Sequence, residues 1–97
     1  MKLNVLRQKY RDSILALADE HHIENVRVFG SVAHGTDNKN SDIDLLVSLG
    51  KDADLFDLGG FCYDIQFLLK GQKVDVVPDD SIRPRLASYI LKDAVAL

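Results

Sequence analysis

Three aspartates and a glycine–serine pair are the residues through which this sequence could do chemistry. Gly30-Ser31 lies in VRVFGSVAHG, ten residues separate it from Asp42-Ile43-Asp44, and Asp75 sits in the later run KVDVV. Asp42 and Asp44 are two apart in an apolar stretch. On a strand both side chains leave one face, while Ile43, Leu45 and Val47 take the other. Asp75 shares a face with Lys73, opposite Val74 and Val76. If the two strands are neighbours, all three carboxylates converge on one point.

Convergence has an electrostatic cost. Two like charges ~4 Å apart repel by about 4 kcal/mol at an effective dielectric of 20. No Lys or Arg lies between residues 40 and 50 to offset it. Such a cluster suits hard divalent cations, and oxygen ligands fit Mg²⁺ or Mn²⁺. Two ions ~3.5–4 Å apart could activate an attacking hydroxyl and stabilise a leaving phosphate. The plainer reading is that Asp42 opens a strand and Asp75 pairs with Lys73. An isolated Asp-x-Asp favours that reading, and the Gly-Ser pair together with a third acid reverses it.

Gly30 follows an apolar run, and its missing side chain lets backbone approach a phosphate closely. Ser31 can offer its hydroxyl and amide at a helix start, or simply cap that helix. There is no G-x-x-x-x-G-K-[ST], so this is not a P-loop. Asp37 to Ser48 is not an EF-hand loop either, with Asp42 where the invariant glycine belongs and Ser48 in place of the closing glutamate.

The elements that must position these residues follow from periodicity. Leu3 to about His22 reads as an amphipathic helix through Leu3, Leu6, Tyr10, Ile14 and Leu17. His21 and His22 near its end point about 100 degrees apart, which argues against a shared metal. Asn25–Phe29 is a strand ending at Gly30-Ser31, and Val32–Ser41 a turn or short helix with a polar loop. Asp42–Leu49 is a second strand, Gly50–Asp54 a turn, and Leu55–Lys70 a helix weakened by Gly59-Gly60. Gln72–Val77 is a third strand, ended by Pro78-Asp79-Asp80. A last helix runs from Ser81, with Ser81 or Asp80 as N-cap and Leu86, Ile90 and Leu91 as its apolar face. The expectation is a single α/β domain over residues 1–97: a short, mixed three-stranded sheet with about four helices.

Composition narrows the partners. A chain of 97 residues buries roughly two-thirds of its unfolded surface, enough for one sheet and a few covering helices. Its 15 acids against 12 Lys and Arg give a net charge of -3, and no basic stripe is visible, so direct nucleic-acid binding is not expected. No apolar run reaches the ~18 residues of a membrane span and no signal-peptide core opens the chain. A single cysteine, Cys62, forms no internal disulfide, which fits a reducing cytoplasmic setting.

Gly30-Ser31, the ten-residue gap, Asp42-Ile43-Asp44 and the distal Asp75 resemble the signature of the DNA polymerase β-like nucleotidyltransferases. Within that superfamily the chain is similar over nearly its whole length to the minimal nucleotidyltransferases of prokaryotes, the MNT proteins paired with HEPN-domain toxins. The resemblance implies that Asp42 and Asp44 bind two Mg²⁺ ions. It implies too that Asp75 binds the catalytic one and helps deprotonate the attacking hydroxyl. Gly30 and Ser31 would hold the β- and γ-phosphates of ATP. The implied activity is that of an antitoxin transferring AMP to a tyrosine of its HEPN toxin.

One departure stands out: many relatives carry arginine in G-S-x-A-R-G, where this chain has His34. Histidine lacks the fork that grips phosphate in two places. The expectation is weaker triphosphate binding, or compensation by Lys39. Two rival readings remain: a nucleotide-binding module that silences its partner by occupying it, and transfer to a small molecule such as an aminoglycoside. Larger transferases use a further lobe to position the acceptor, and positioning can lower a barrier by ~7–11 kcal/mol. Without that lobe, the acceptor surface is expected from another protein. Phe56, Phe61, Tyr63, Phe67 and the C-terminal helix offer apolar docking area, and self-association stays open.

Overall fold

The amphipathic N-terminal run forms helix α1 (Leu3–Glu20), which buries Leu6, Ile14 and Ala18. The computed structural model, which describes residues 1–38 and 40–97, continues with β1 (Ile23–Phe29), α2 (Gly30–His34) and β2 (Ile43–Leu49). It then passes through α3 (Leu55–Leu68), β3 (Val74–Pro78), a 3₁₀ turn (Asp79–Ser81), α4 (Pro84–Asp93) and β4 (Val95–Ala96). The strands form one mixed sheet in the order β3-β2-β1-β4. β1 runs antiparallel to β2 and β4, and β2 runs parallel to β3.

Period-2 alternation divides the sheet into two faces. Val26 and Val28 of β1 and Ile43, Leu45 and Val47 of β2 pack with Leu6, Ile14 and Ala18 of α1 and Phe61 and Ile65 of α3. Those side chains make the core, so α1 and α3 cover one face. The opposite face carries Arg27, Phe29, Asp44, Leu46, Ser48, Asp75 and Val77, all of alternate parity.

Several boundaries differ from those read in the sequence. β1 starts at Ile23 rather than Asn25, because Ile23 is buried and the chain enters the strand through left-handed His22 and Asn25. A bulge between Glu24 and Arg27 absorbs the irregular start. The last helix begins at Pro84, not Ser81. Asp80 and Ser81 instead sit in the 3₁₀ turn, and proline opens the helix because the first turn leaves its amide unpaired anyway.

The sheet has four strands where three were expected. The closing segment leaves the helix at Asp93, and Val95 and Ala96 pair with Val28 and Arg27. Leu97 enters the core, and Arg7 of α1 donates from Nε to its carbonyl at 3.2 Å. A run too short to show periodicity thus becomes an edge strand through its tertiary partners.

Two local devices hold the frame. Asp54 and Asp57 form a reciprocal capping box at the start of α3, each carboxylate accepting from the other's backbone amide. Asp37 in the α2–β2 loop is the one buried charged residue among those described, and it accepts from Lys2 Nζ at 3.4 Å. That contact fastens to α1 the loop that delivers Asp42.

Candidate active site

The site begins with a strand register. In the parallel β2–β3 pair, Ile43 faces Val74 and Asp44 faces Asp75 directly across the ladder. Ile43 N–H donates to the Lys73 carbonyl at 2.9 Å and fixes that register at its first residue. β-Branched and apolar residues bury the other face of both strands, so the two aspartates are turned outward together.

Burial, then the charges of Asp75 and Asp42, push the Asp44 carboxyl above the ordinary value of 3.8. Both neighbouring acids therefore act on Asp44. Asp42 lies one residue before β2, half-buried, with Lys73 Nζ 3.8 Å from its carboxylate. Lys73 accordingly pairs with Asp42, not with Asp75 as the plainer sequence reading had it. Such an exposed ion pair contributes ~0–1 kcal/mol and leaves most of the repulsion in place. Among the described residues, no three His, Cys, Asp or Glu side chains are gathered as tightly as a bound ion would hold them.

Gly30 closes the site from the β1 side. It sits directly after Phe29, which pairs with Asp44, and adopts a left-handed φ of 72°. A Cβ placed there would overlap Asp44 Oδ2. The glycine is required twice over, by its φ and by that close approach. Ser31, half-buried, follows at the second position of α2, where its carbonyl accepts from Thr36 N–H at 3.0 Å. Lys39, the remaining candidate for binding nucleotide, lies outside the described residues. His34 ends α2 and is exposed, with Nε2 3.1 Å from Asp93 Oδ2 at the end of α4.

The chemistry of the donors, though not yet their spacing, suits a hard divalent cation. The donors are all oxygen, three carboxylates face the single nearby ammonium of Lys73, and burial with neighbouring charge disfavours the charged form of Asp44. Asp44, Asp75 and Asp42 are the residues that could hold such ions.

One polar cluster escaped the sequence reading. Further along the same sheet face, Arg27 Nη2 donates to Asp79 Oδ2 at 2.9 Å, and Ser48 Oγ donates to the same oxygen at 2.5 Å. Fully buried Leu46, whose register partners are Arg27 and Val77, separates this cluster from Asp44. Only the alternate parity of Asp44, Leu46 and Ser48 hinted at it. A cleft of about 220 Å³ lined by Asp19, His22, Glu24, Lys51 and Asp52 lies at the other end of β1 and β2, away from the paired acids.

Comparison with known proteins accords with this geometry. A family model described as nucleotidyltransferase domain matches residues 8–97. A curated relative from Methanocaldococcus jannaschii, provisionally named a protein adenylyltransferase, is 35% identical over 95 residues, covering 98% of this chain and 97% of its own length. A solved structure provisionally described as a minimal nucleotidyltransferase superimposes with a TM-score of 0.85 at 38% identity, covering 100% of this chain and 97% of that one. The same fold recurs in the complex of an MNT antitoxin with a tri-AMPylated HEPN toxin from Shewanella oneidensis, with a TM-score of 0.67 at 18% identity over 93% of this chain and 70% of that one. With a family model spanning almost the whole chain and relatives similar to it from end to end, this protein belongs to the nucleotidyltransferase domain family, built on its minimal plan.

Proposed function

We propose that this chain transfers AMP from ATP to a hydroxyl of a partner protein, a tyrosine of a HEPN-type toxin, and so acts as the antitoxin of a pair. The observation that carries the reading is the face-to-face placement of Asp44 and Asp75 beside a glycine where any Cβ would overlap Asp44. The M. jannaschii relative, similar over the whole length of both chains, supports a protein acceptor. The Shewanella complex, alike in fold, supports the kind of partner.

In this reading Asp42 and Asp44 bind Mg²⁺, with Asp75 as a further ligand. Bound there, the divalent ions supply charge neutralisation for the triphosphate and lower the barrier to ionising the acceptor hydroxyl. The chain's own residues do the rest. Gly30 leaves room for the β- and γ-phosphates against the start of α2, and Ser31 donates to them. Asp75 accepts the acceptor hydroxyl's proton as its oxygen bonds to the α-phosphorus. The bond from the α-phosphorus to the bridging oxygen then breaks, and pyrophosphate leaves with the electron pair.

Intact mass of the protein that co-purifies with this chain, before and after Mg-ATP, tests the proposal. Whole adenylyl increments that vanish with Asp42→Asn, Asp44→Asn carry it. An unchanged mass in an intact complex gives the site to the second reading, silencing by occupancy with nucleotide as ligand only. The His34 substitution favours that alternative, since its imidazole is engaged by Asp93. Turnover of a free aminoglycoside by the isolated chain would instead place the acceptor among small molecules.

A further inference from the structure

Helix α3 presents to solvent a stripe that its own chain leaves uncovered. Leu55, Phe56, Tyr63 and Phe67 are 78%, 89%, 72% and 65% exposed. Phe56, Tyr63 and Phe67 recur at seven- and four-residue steps, which places them along one line of the helix. At ~150–250 Å² per aromatic side chain, the four residues leave roughly 600 Å² of largely apolar surface open. That reaches the upper limit of the largest patch on an ordinary monomer and approaches the ~800 Å² each partner contributes to a stable interface.

Gly59, inside that stripe, is unexplained by the monomer. Its neighbour Gly60 has an internal reason, because a Cβ there would meet the His21 ring. A Cβ at Gly59 would meet nothing within 4 Å. Glycine weakens a helix interior relative to alanine, and no turn, positive φ or packing contact requires it here. What an exposed helical glycine between aromatic side chains does provide is a notch for a knob from outside.

We infer that α3 pairs with α3 of a second copy of this chain in an antiparallel, two-fold arrangement. The sequence of the helix is complementary to itself in that orientation. With the axis near Phe61, Tyr63 of each copy stands over Gly59 of the other, and Phe56 meets Phe67. The charges agree as well. Asp52 and Asp54 flank the start of the helix, while Lys70, its ammonium 4.9 Å above the Phe67 ring, stands just past the end. The same axis brings each Lys70 to the end of the other copy's helix that Asp52 and Asp54 flank, and antiparallel helices oppose their dipoles favourably. Because α3 lies on the core face of the sheet, the paired aspartates of both copies face away from this contact. The inference goes beyond the transferase proposal and does not depend on it.

Sedimentation equilibrium of the full chain over a range of concentrations provides the test. Wild type should dimerise, and Gly59→Leu and Tyr63→Lys should each raise the dissociation constant by about 10-fold or more. Both positions are exposed, so the circular dichroism of either variant should match wild type. Asp52→Lys alone should weaken the dimer by a few-fold, and adding Lys70→Asp should restore it. A wild-type chain that stays monomeric to ~1 mM overturns the inference. So does a dimer indifferent to Gly59→Leu and Tyr63→Lys, or a monomer that uses this face to bind a different protein.

Discussion

Asp44 and Asp75 are direct partners across the parallel β2–β3 ladder, so the fold itself holds two carboxylates side by side. Burial and the charges of Asp75 and Asp42 raise Asp44 above the ordinary 3.8. A carboxyl whose folded value exceeds its unfolded value takes up its proton more readily in the fold. Its contribution to stability therefore falls as pH climbs from 3.8 through the raised value, and stays lost above it. Asp44→Asn removes that penalty, so at pH 7 and without metal its urea midpoint should equal or exceed that of wild type, while transfer falls to background. Mg²⁺ at ten times its Kd should stabilise wild type by about 1.4 kcal/mol and the variant hardly at all. A clearly lower midpoint for metal-free Asp44→Asn would refute the clustered-carboxylate picture.

Gly30 tests the same site from the backbone side. Alanine there must adopt a φ of 72° and overlap Asp44 Oδ2. Gly30→Ala should cost about 1–3 kcal/mol, visible as a fall of several degrees in Tm for a domain this small. Activity should drop further than stability explains, since relieving the clash displaces Asp44. Unchanged Tm with full activity would mean that the turn relaxes without moving Asp44.

How far the sequence could be read depended on what kind of contact set each feature. The shared face of Asp44 and Asp75 was legible because strand alternation fixes it, and an apolar opposite face leaves no other register. Asp42, read as the start of the strand, lies one residue before it. α1, β2 and α3 announced themselves by period. Val95–Ala96 did not, since two residues have no period and their strand exists only through pairing with Arg27 and Val28. The Arg27–Ser48–Asp79 cluster joins three separate elements, and its partners are 21, 31 and 52 residues apart. No local pattern encodes such a contact. The Asp54–Asp57 capping box has a local signal, two acids three residues apart at the helix start, yet it too goes unread where Asp54 is assigned only to the preceding turn.

Asp79 provides the opposite pH dependence to Asp44. The Ser48 hydroxyl, and then the Arg27 guanidinium, hold its carboxyl below the ordinary 3.8 against the effect of burial. A depressed folded value contributes stability above 3.8 that is lost as pH falls through the lowered value. Asp79→Asn should therefore cost about 1–2 kcal/mol at pH 7. The gap to wild type should close as the pH falls below 3.8. Denaturant unfolding at a series of pH values reads this out, and a gap that stays constant into acid would show that the cluster acts through packing rather than charge.

The pairing of His34 with Asp93 sets a limit on what an arginine at position 34 can do. His34 closes α2, the helix that begins at Gly30, and its Nε2 already lies 3.1 Å from Asp93. An arginine in its place would carry a fixed charge and a two-pronged donor toward the triphosphate. Asp93 would compete for that same group. His34→Arg alone should tighten binding of a non-hydrolysable Mg-ATP analogue only slightly. His34→Arg combined with Asp93→Asn should tighten it by about 10-fold, the equivalent of one charge-assisted hydrogen bond of ~1.4 kcal/mol. Calorimetric titration of the two variants separates the cases. Equal affinities would mean that Asp93 does not restrain the residue at 34, and no gain in either would mean that position 34 does not reach the phosphates.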